Sequence, residues 1–258
     1  MRRAALLLLA LSAAPSIAAP AAEVRFVACP VYRDTDAGRK SGCWLADSPQ
    51  DGRRYDVSPS PTKPDWNYAV LVEGRPASDQ ADVCGGIVLD PARVSILPEP
   101  CVRAMLPAEG YAGRRFILPE RNVRPLYEPR KPFPQPYAAR TFEIPFEFGR
   151  SFVVYQLSDY LMDQAVAYAL AVHARKVEIT GWAATTPETV SGHQLAEPAE
   201  VARARALVAA QWMRSLGVPP QRIEVRWRTG AQPIDMPGAD GLTGLSRRRA
   251  DIRITPGP

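Results

Sequence analysis

Histidine is nearly absent. Two residues in 258, His173 and His193, leave little of the side chain that most often moves protons or activates a nucleophile. Gly-x-Ser-x-Gly and His-Glu-x-x-His are missing, no cysteine has a plausible histidine partner, and Ser191-Gly192-His193 is too local to suggest a triad. A carboxylate pair can do acid–base chemistry without leaving a motif, but nothing else points to catalysis. The expectation is a non-enzyme without a cofactor. No Cys-x-x-Cys spacing occurs, which argues against zinc. Strong charge of one sign is lacking as well. The formal +5 falls to +3, 30 basic against 27 acidic residues, without Arg2 and Arg3, too mild to argue for nucleic acid. Beyond the first twenty residues no apolar run approaches the roughly 18 residues that cross a membrane as a helix.

Those first residues are a different matter. Arg2-Arg3, an apolar run from Ala4 to about Ala14, and small residues through Ala22 have the three regions of a secretory signal peptide. The run is too short for an anchor and breaks at Pro15 and Pro20. Residues 1–21 are therefore expected to be removed on export, with Ala18, Ala19 and Ala21 all suitable cleavage sites. Val27-Ala28-Cys29 resembles a lipoprotein box, but Glu23 and Arg25 separate it from the apolar run. The expected location is the periplasm, with partners holding the protein near the outer membrane.

All four cysteines, Cys29, Cys43, Cys84 and Cys101, fall in the first half. In an oxidising compartment they form two disulfides. Three connectivities are open; the expectation is Cys29 with Cys43 and Cys84 with Cys101, since each pair closes a short loop. Residues 22–123 read as a small β-rich domain, with strands at 23–28, 42–46, 54–57, 69–73, 87–89 and 93–97. A transmembrane barrel is excluded by the shortness of this segment and by its prolines. Asp34 to Gly38 hints at a calcium loop but lacks the further ligands of an EF-hand. Trp44, Trp66 and Tyr68 are assigned no role. Five of the 27 prolines crowd into 125–136, a density that stiffens a chain into an extended linker, placed at 124–140.

Past the linker, over 141–256, the period changes. Ile144, Phe146 and Phe148 alternate as a strand. Leu157, Leu161, Ala165, Tyr168 and Val172 lie on one helical face. Val177, Ile179 and Gly181 form the next strand. A second helix runs from Pro198 through Ala204, Val208, Trp212 and Leu216 and stops at Gly217. Ile223, Val225 and Trp227, then Ile252 and Ile254, complete the order β-α-β-α-β-β. The class is α+β: two helices over one face of a mixed sheet.

These elements, with Gly181 ending a strand, Arg205-Ala206 in the second helix, Leu216-Gly217-Val218-Pro219, and Arg248-Arg249-Ala250-Asp251-Ile252 in the last strand, resemble the OmpA-like C-terminal domain over residues 142–255. That family binds peptidoglycan in the Gram-negative periplasm. The resemblance implies a clamp in which an Asp after the second strand and an Arg of the second helix hold a zwitterionic peptide-stem terminus. The Arg falls on Arg205, but the Asp falls on Ala184, and the loop from Thr185 to Glu197 is longer than the family's. Glu188 or Glu197 could supply the lost acid, Trp182 or His193 could shape the pocket, and Arg249 or Arg248 could line it. The function implied is a non-catalytic peptidoglycan-binding module of the envelope, with residues 22–123 contacting another envelope protein. The alternative is a scaffold whose degenerate domain binds a protein partner instead.

Overall fold

The computed structural model of the protein describes residues 21–34, 42–80, 84–108, 132–153 and 158–258. The expected leader up to residue 20, most of the Asp34–Gly38 segment, the first half of the proline-rich segment and Leu157 lie outside these residues. Residues 132–139 carry no regular structure before the first C-terminal strand.

Among the described residues the N-terminal unit has seven strands: β1 Val24–Ala28, β2 Pro30–Arg33, β3 Cys43–Asp47, β4 Arg54–Asp56, β5 Tyr68–Pro76, β6 Ile87–Pro100 and β7 Ala104–Leu106. They are ordered β1-β5-β6-β4-β3-β2-β7. Only Cys29 separates β1 from β2, so one bent run of chain serves both sides of the array and the sheet curls back on itself. Phe26, Tyr55, Val70, Val72, Leu89 and Val94 are buried inside the curl. Alternating side chains make this possible, since a strand presents every second residue to the same face. Tyr32, Trp44 and Trp66 form an edge-to-face and tilted aromatic cluster, with centroids 4.7 to 5.2 Å apart.

The disulfides join Cys29 to Cys101 and Cys43 to Cys84, a correction to the short-loop pairing. The strand register gives the reason. β2 and β3 pair antiparallel with Pro30 opposite Ala46 and Arg33 opposite Cys43, so Cys29 and Cys43 sit at opposite ends of that hairpin, roughly 13 Å apart at 3.4 Å per residue. Ala28 and Pro100, by contrast, both pair with the start of β5, at Val70 and Tyr68. That brings Cys29 and Cys101 to a Cα separation of 5.7 Å, ordinary disulfide reach.

The C-terminal unit comprises β8 Arg140–Pro145, α1 Ser158–Ala171, β9 Lys176–Ala183, β10 Glu188–Val190, β11 His193–Leu195, α2 Glu200–Ser215, β12 Ile223–Thr229, α3 Thr243–Ser246 and β13 Arg249–Thr255. Its main sheet has the order β12-β9-β13-β8, with β12 parallel to β9 and β13 antiparallel to both neighbours. This is the expected α+β order with a hairpin, β10–β11, inserted before α2. Strand β9 alternates perfectly, burying Val177, Ile179, Gly181 and Ala183. Helix α2 buries Ala202, Arg205, Ala206, Ala209, Ala210 and Met213, one position round from the larger residues expected to face inward. The small side chains let α2 lie almost on the sheet: a Cβ on Gly181 would overlap the Ala202 carbonyl oxygen.

Candidate functional site

Arg205 enters the protein interior from the second turn of α2 and is fully buried. An isolated guanidinium there would be costly, and the chain meets every one of its five N–H groups. Nε donates to the Arg150 carbonyl at 2.9 Å, Nη1 to the Trp182 carbonyl at 2.7 Å, and Nη2 to the Glu147 carbonyl at 3.0 Å. The remaining two form a fork on Glu197, at 2.8 Å to Oε2 and 2.5 Å to Oε1.

Glu197 is just as enclosed. Its side chain has no solvent exposure, and it also accepts the Ala184 N–H at 2.7 Å and the Gly149 N–H at 2.8 Å. Burial alone would push its carboxyl upward, but the hydrogen bonds and charge of Arg205, then the charge of Arg248 and the Ala184 amide, outweigh it and hold it below the usual carboxylate range. Burial lowers the Arg205 pKa, and Glu197 restores part of what is lost. The acid therefore reaches Arg205 from the far end of the long segment that joins β9 to α2, over the backbone of Ala184.

The other anticipated residues are elsewhere. Trp182 and Arg249 point to the opposite face of the sheet, because they alternate with inward-facing Gly181, Ala183 and Ala250. There the Trp182 indole donates to Asp251 at 2.6 Å, Arg249 Nε donates to the same carboxylate at 2.9 Å, and the Arg249 guanidinium lies 5.1 Å from the indole. Arg249 also donates to the Ser246 and Gln232 carbonyls. Glu188 and His193 belong to the inserted hairpin, whose turn, Ser191-Gly192, has φ of 51° and 81°, the sign a two-residue hairpin turn requires. Of the five anticipated ligand-contacting residues, Arg205 and Glu197 pair through their side chains, Trp182 offers Arg205 only its carbonyl, and the Trp182 and Arg249 side chains meet each other on the other face.

Two features that sequence reasoning did not reach complete the site. The first is the partner of Arg248: that arginine, one of the two expected to line the pocket, is 1% exposed and pairs through Nη1 and Nη2 with Glu73 of β5. Glu73 is itself wholly buried, and its second cation is Arg25 at 3.0 Å. Burial would raise the Glu73 pKa, yet Arg248 and then Arg25 bring it below the usual range. Gly244 of α3 makes room, since a Cβ there would collide with the Glu73 carboxylate. The second is the docked hairpin. Val190 and Leu195 pack with Val27, Ala69, Leu71 and Leu97 of the N-terminal unit. The Ser191 hydroxyl accepts from the Val27 amide at 3.0 Å, capping the outer edge of β1. Glu188 bridges Arg25, at 2.5 Å, and Arg247. Ser191-Gly192 between Glu188-Thr189-Val190 and His193-Gln194-Leu195 was the available signal for the hairpin. Nothing local signals Glu73, 175 positions from Arg248.

No family model matches this sequence, and no curated protein matches it. Solved structures match part of it. The OmpA-like domain of FopA1 from Francisella tularensis subsp. tularensis SCHU S4 is 13% identical over 46% of this chain and 77% of that chain, with a TM-score of 0.35. The peptidoglycan-associated lipoprotein from Burkholderia pseudomallei is 19% identical over 44% of this chain and 89% of that chain, with a TM-score of 0.33. The cell wall anchor of the T6SS from Pseudomonas aeruginosa is 16% identical over 46% and 83%, with a TM-score of 0.36.

Proposed function

We propose that the protein is an exported, non-catalytic module of the cell envelope with an OmpA-like C-terminal unit. In its docked form that unit is closed to a peptide stem and serves as a scaffold for an envelope protein partner. The observation that carries this reading is the saturation of Arg205: fully buried, with all five donors on acceptors from its own chain. A clamp that holds an outside carboxylate needs an unspent guanidinium edge, and Glu197 occupies that edge.

Arg248, the second arginine brought to this region, is spent on Glu73. Two internal acids thus satisfy two internal arginines. Removing one partner of such a pair costs about 3–5 kcal/mol, so the closed arrangement is the stable one in the absence of a competitor.

Co-sedimentation with purified insoluble peptidoglycan tests the reading. The mature, oxidised protein is expected to stay in the supernatant. Pelleting that a soluble stem peptide competes away, and that Arg205→Gln abolishes, would refute it.

A further inference from the structure

We propose that the N-terminal unit is a latch on the C-terminal unit, so that undocking it withdraws Glu197 and opens Arg205 and Arg248 as a site for a carboxylate-bearing envelope ligand. This rests on the reading that the docked form is closed.

Both walls of the Glu197 seat are tied to the N-terminal unit. On one side, Leu195 lies two residues before Glu197 and is buried against Val27, Ala69, Leu71 and Leu97. The rest of its hairpin is fixed by the Ser191 cap on the Val27 amide, a 2.5 Å hydrogen bond from Gln50, and the bridge from Glu188 to Arg25. On the other side, the turn after β8 donates the Gly149 amide to Glu197 and offers the Glu147 carbonyl to Arg205. That turn is held in place from across the seam as well. The Phe148 amide donates to the Ser95 hydroxyl at 3.0 Å, the Phe148 ring packs against the Val27 and Leu71 cluster, and Thr62 donates to the Glu147 carboxylate.

The third tie is direct. Glu73 is a residue of β5, and it neutralises Arg248 from the N-terminal unit. Withdrawal of that unit removes one carboxylate outright and frees the hairpin that leads into the other. It also leaves Val190, Leu195 and Phe148 without the apolar surface they cover. Two guanidiniums then keep backbone carbonyls but lack their carboxylate partners, a demand that a ligand bearing carboxylates meets. Since Glu197 and the N-terminal unit favour the same closed state, a ligand and a partner that peels off the N-terminal unit assist each other.

The test uses the full oxidised chain and the variant Arg25→Glu/Val190→Asp, which places an acid beside Glu73 and Glu188 and a charge in the apolar seam. Hydrogen exchange is followed at the hairpin amides and at Gly149 and Ala184, whose N–H groups rest on Glu197. The expected result is a joint loss of protection of about tenfold or more at the hairpin, Gly149 and Ala184. Pelleting with insoluble peptidoglycan is expected to rise about tenfold over the natural protein and to be lost again on adding Arg205→Gln. Retained protection at Gly149 and Ala184 with a freed hairpin overturns the coupling, and a hairpin that stays protected overturns the contacts assigned to the latch. Release at all three places without pelleting overturns the ligand site while leaving the closed reading intact. Pelleting by the natural protein, dependent on Arg205, overturns the closed reading itself. If the double variant loses its helical circular dichroism, Arg25→Ala alone is carried through the same exchange measurement, with the same joint loss expected and the same outcomes overturning the proposal.

Discussion

Replacing Glu147 by Gln should stabilise the protein in mild alkali and do little in mild acid. Glu147 accepts a hydrogen bond from Thr62 across the seam between the two units, and burial pushes its pKa from 4.5 to about 7, against the opposing charges of Arg150, Arg248 and Arg93. The sign follows from proton counting. The unfolded chain releases this proton near pH 4.5 and the folded chain only near pH 7, so the contribution of the neutral acid is fully present below 4.5 and is lost as pH rises toward 7. The difference amounts to about 3 kcal/mol, at 1.36 kcal/mol for each pH unit between the two values. Gln keeps the acceptor for Thr62 and has no charge to bury. Urea unfolding followed by tryptophan fluorescence at pH 4.5 and pH 8.5 should therefore show the stability gap between variant and natural protein opening by about that amount. A gap equal at both values would mean that the Glu147 carboxyl is solvated, and that the seam around Thr62 and Ser95 is open to water.

Four further outcomes are expected. Glu73 and Glu197, both held below the usual carboxylate range, contribute stability that is present above that range and is lost as pH falls through their folded values, so acid unfolding should be less steep in Glu73→Gln than in the natural protein. Glu73→Ala should cost about 3–5 kcal/mol by stranding Arg248, and Glu73→Ala/Arg248→Met should recover most of it; a double variant as unstable as the single one would count against the pairing. Gly181→Ala should cost about 2–3 kcal/mol in chemical denaturation by driving α2 off β9. Non-reducing peptide mapping should find Cys29 linked to Cys101, and replacing both by Ala should cost about 4 kcal/mol for a loop of 72 residues; a Cys29–Cys43 peptide would refute the strand register.

The C-terminal unit was legible because its elements declare their period. Val177, Ile179 and Gly181 alternate, and α2 stops at Gly217 where the sequence says it should. The face of α2 was less legible: bulky Val208 and Trp212 suggest the inward side, but close approach over Gly181 selects Ala202, Ala206 and Ala209. In the N-terminal unit, the segments 87–89 and 93–97 are one strand, β6. Pro91 reads as a breaker, yet it sits at the register irregularity between Gly74 and Pro76 of the partner strand, where a bulge tolerates the missing N–H. Arg205 was identifiable from its motif and Glu197 as one of two acids near it. Glu73, Arg25 and the hairpin's landing surface depend on contacts between distant parts of the chain, and no local pattern encodes those.

The bent run of β1 and β2 leaves one margin of the N-terminal sheet unpaired, and that margin is covered by Ser191 and its neighbours. The covering piece is synthesised long after the sheet it covers. A nascent or truncated chain ending before the hairpin would present Val27 and the β1 backbone as a sticky strip, open to pairing with any extended segment nearby. The C-terminal unit thus acts as a resident guard against strand-to-strand association of the N-terminal one, and shortened forms lacking residues 188–195 should clump where the full chain stays dispersed.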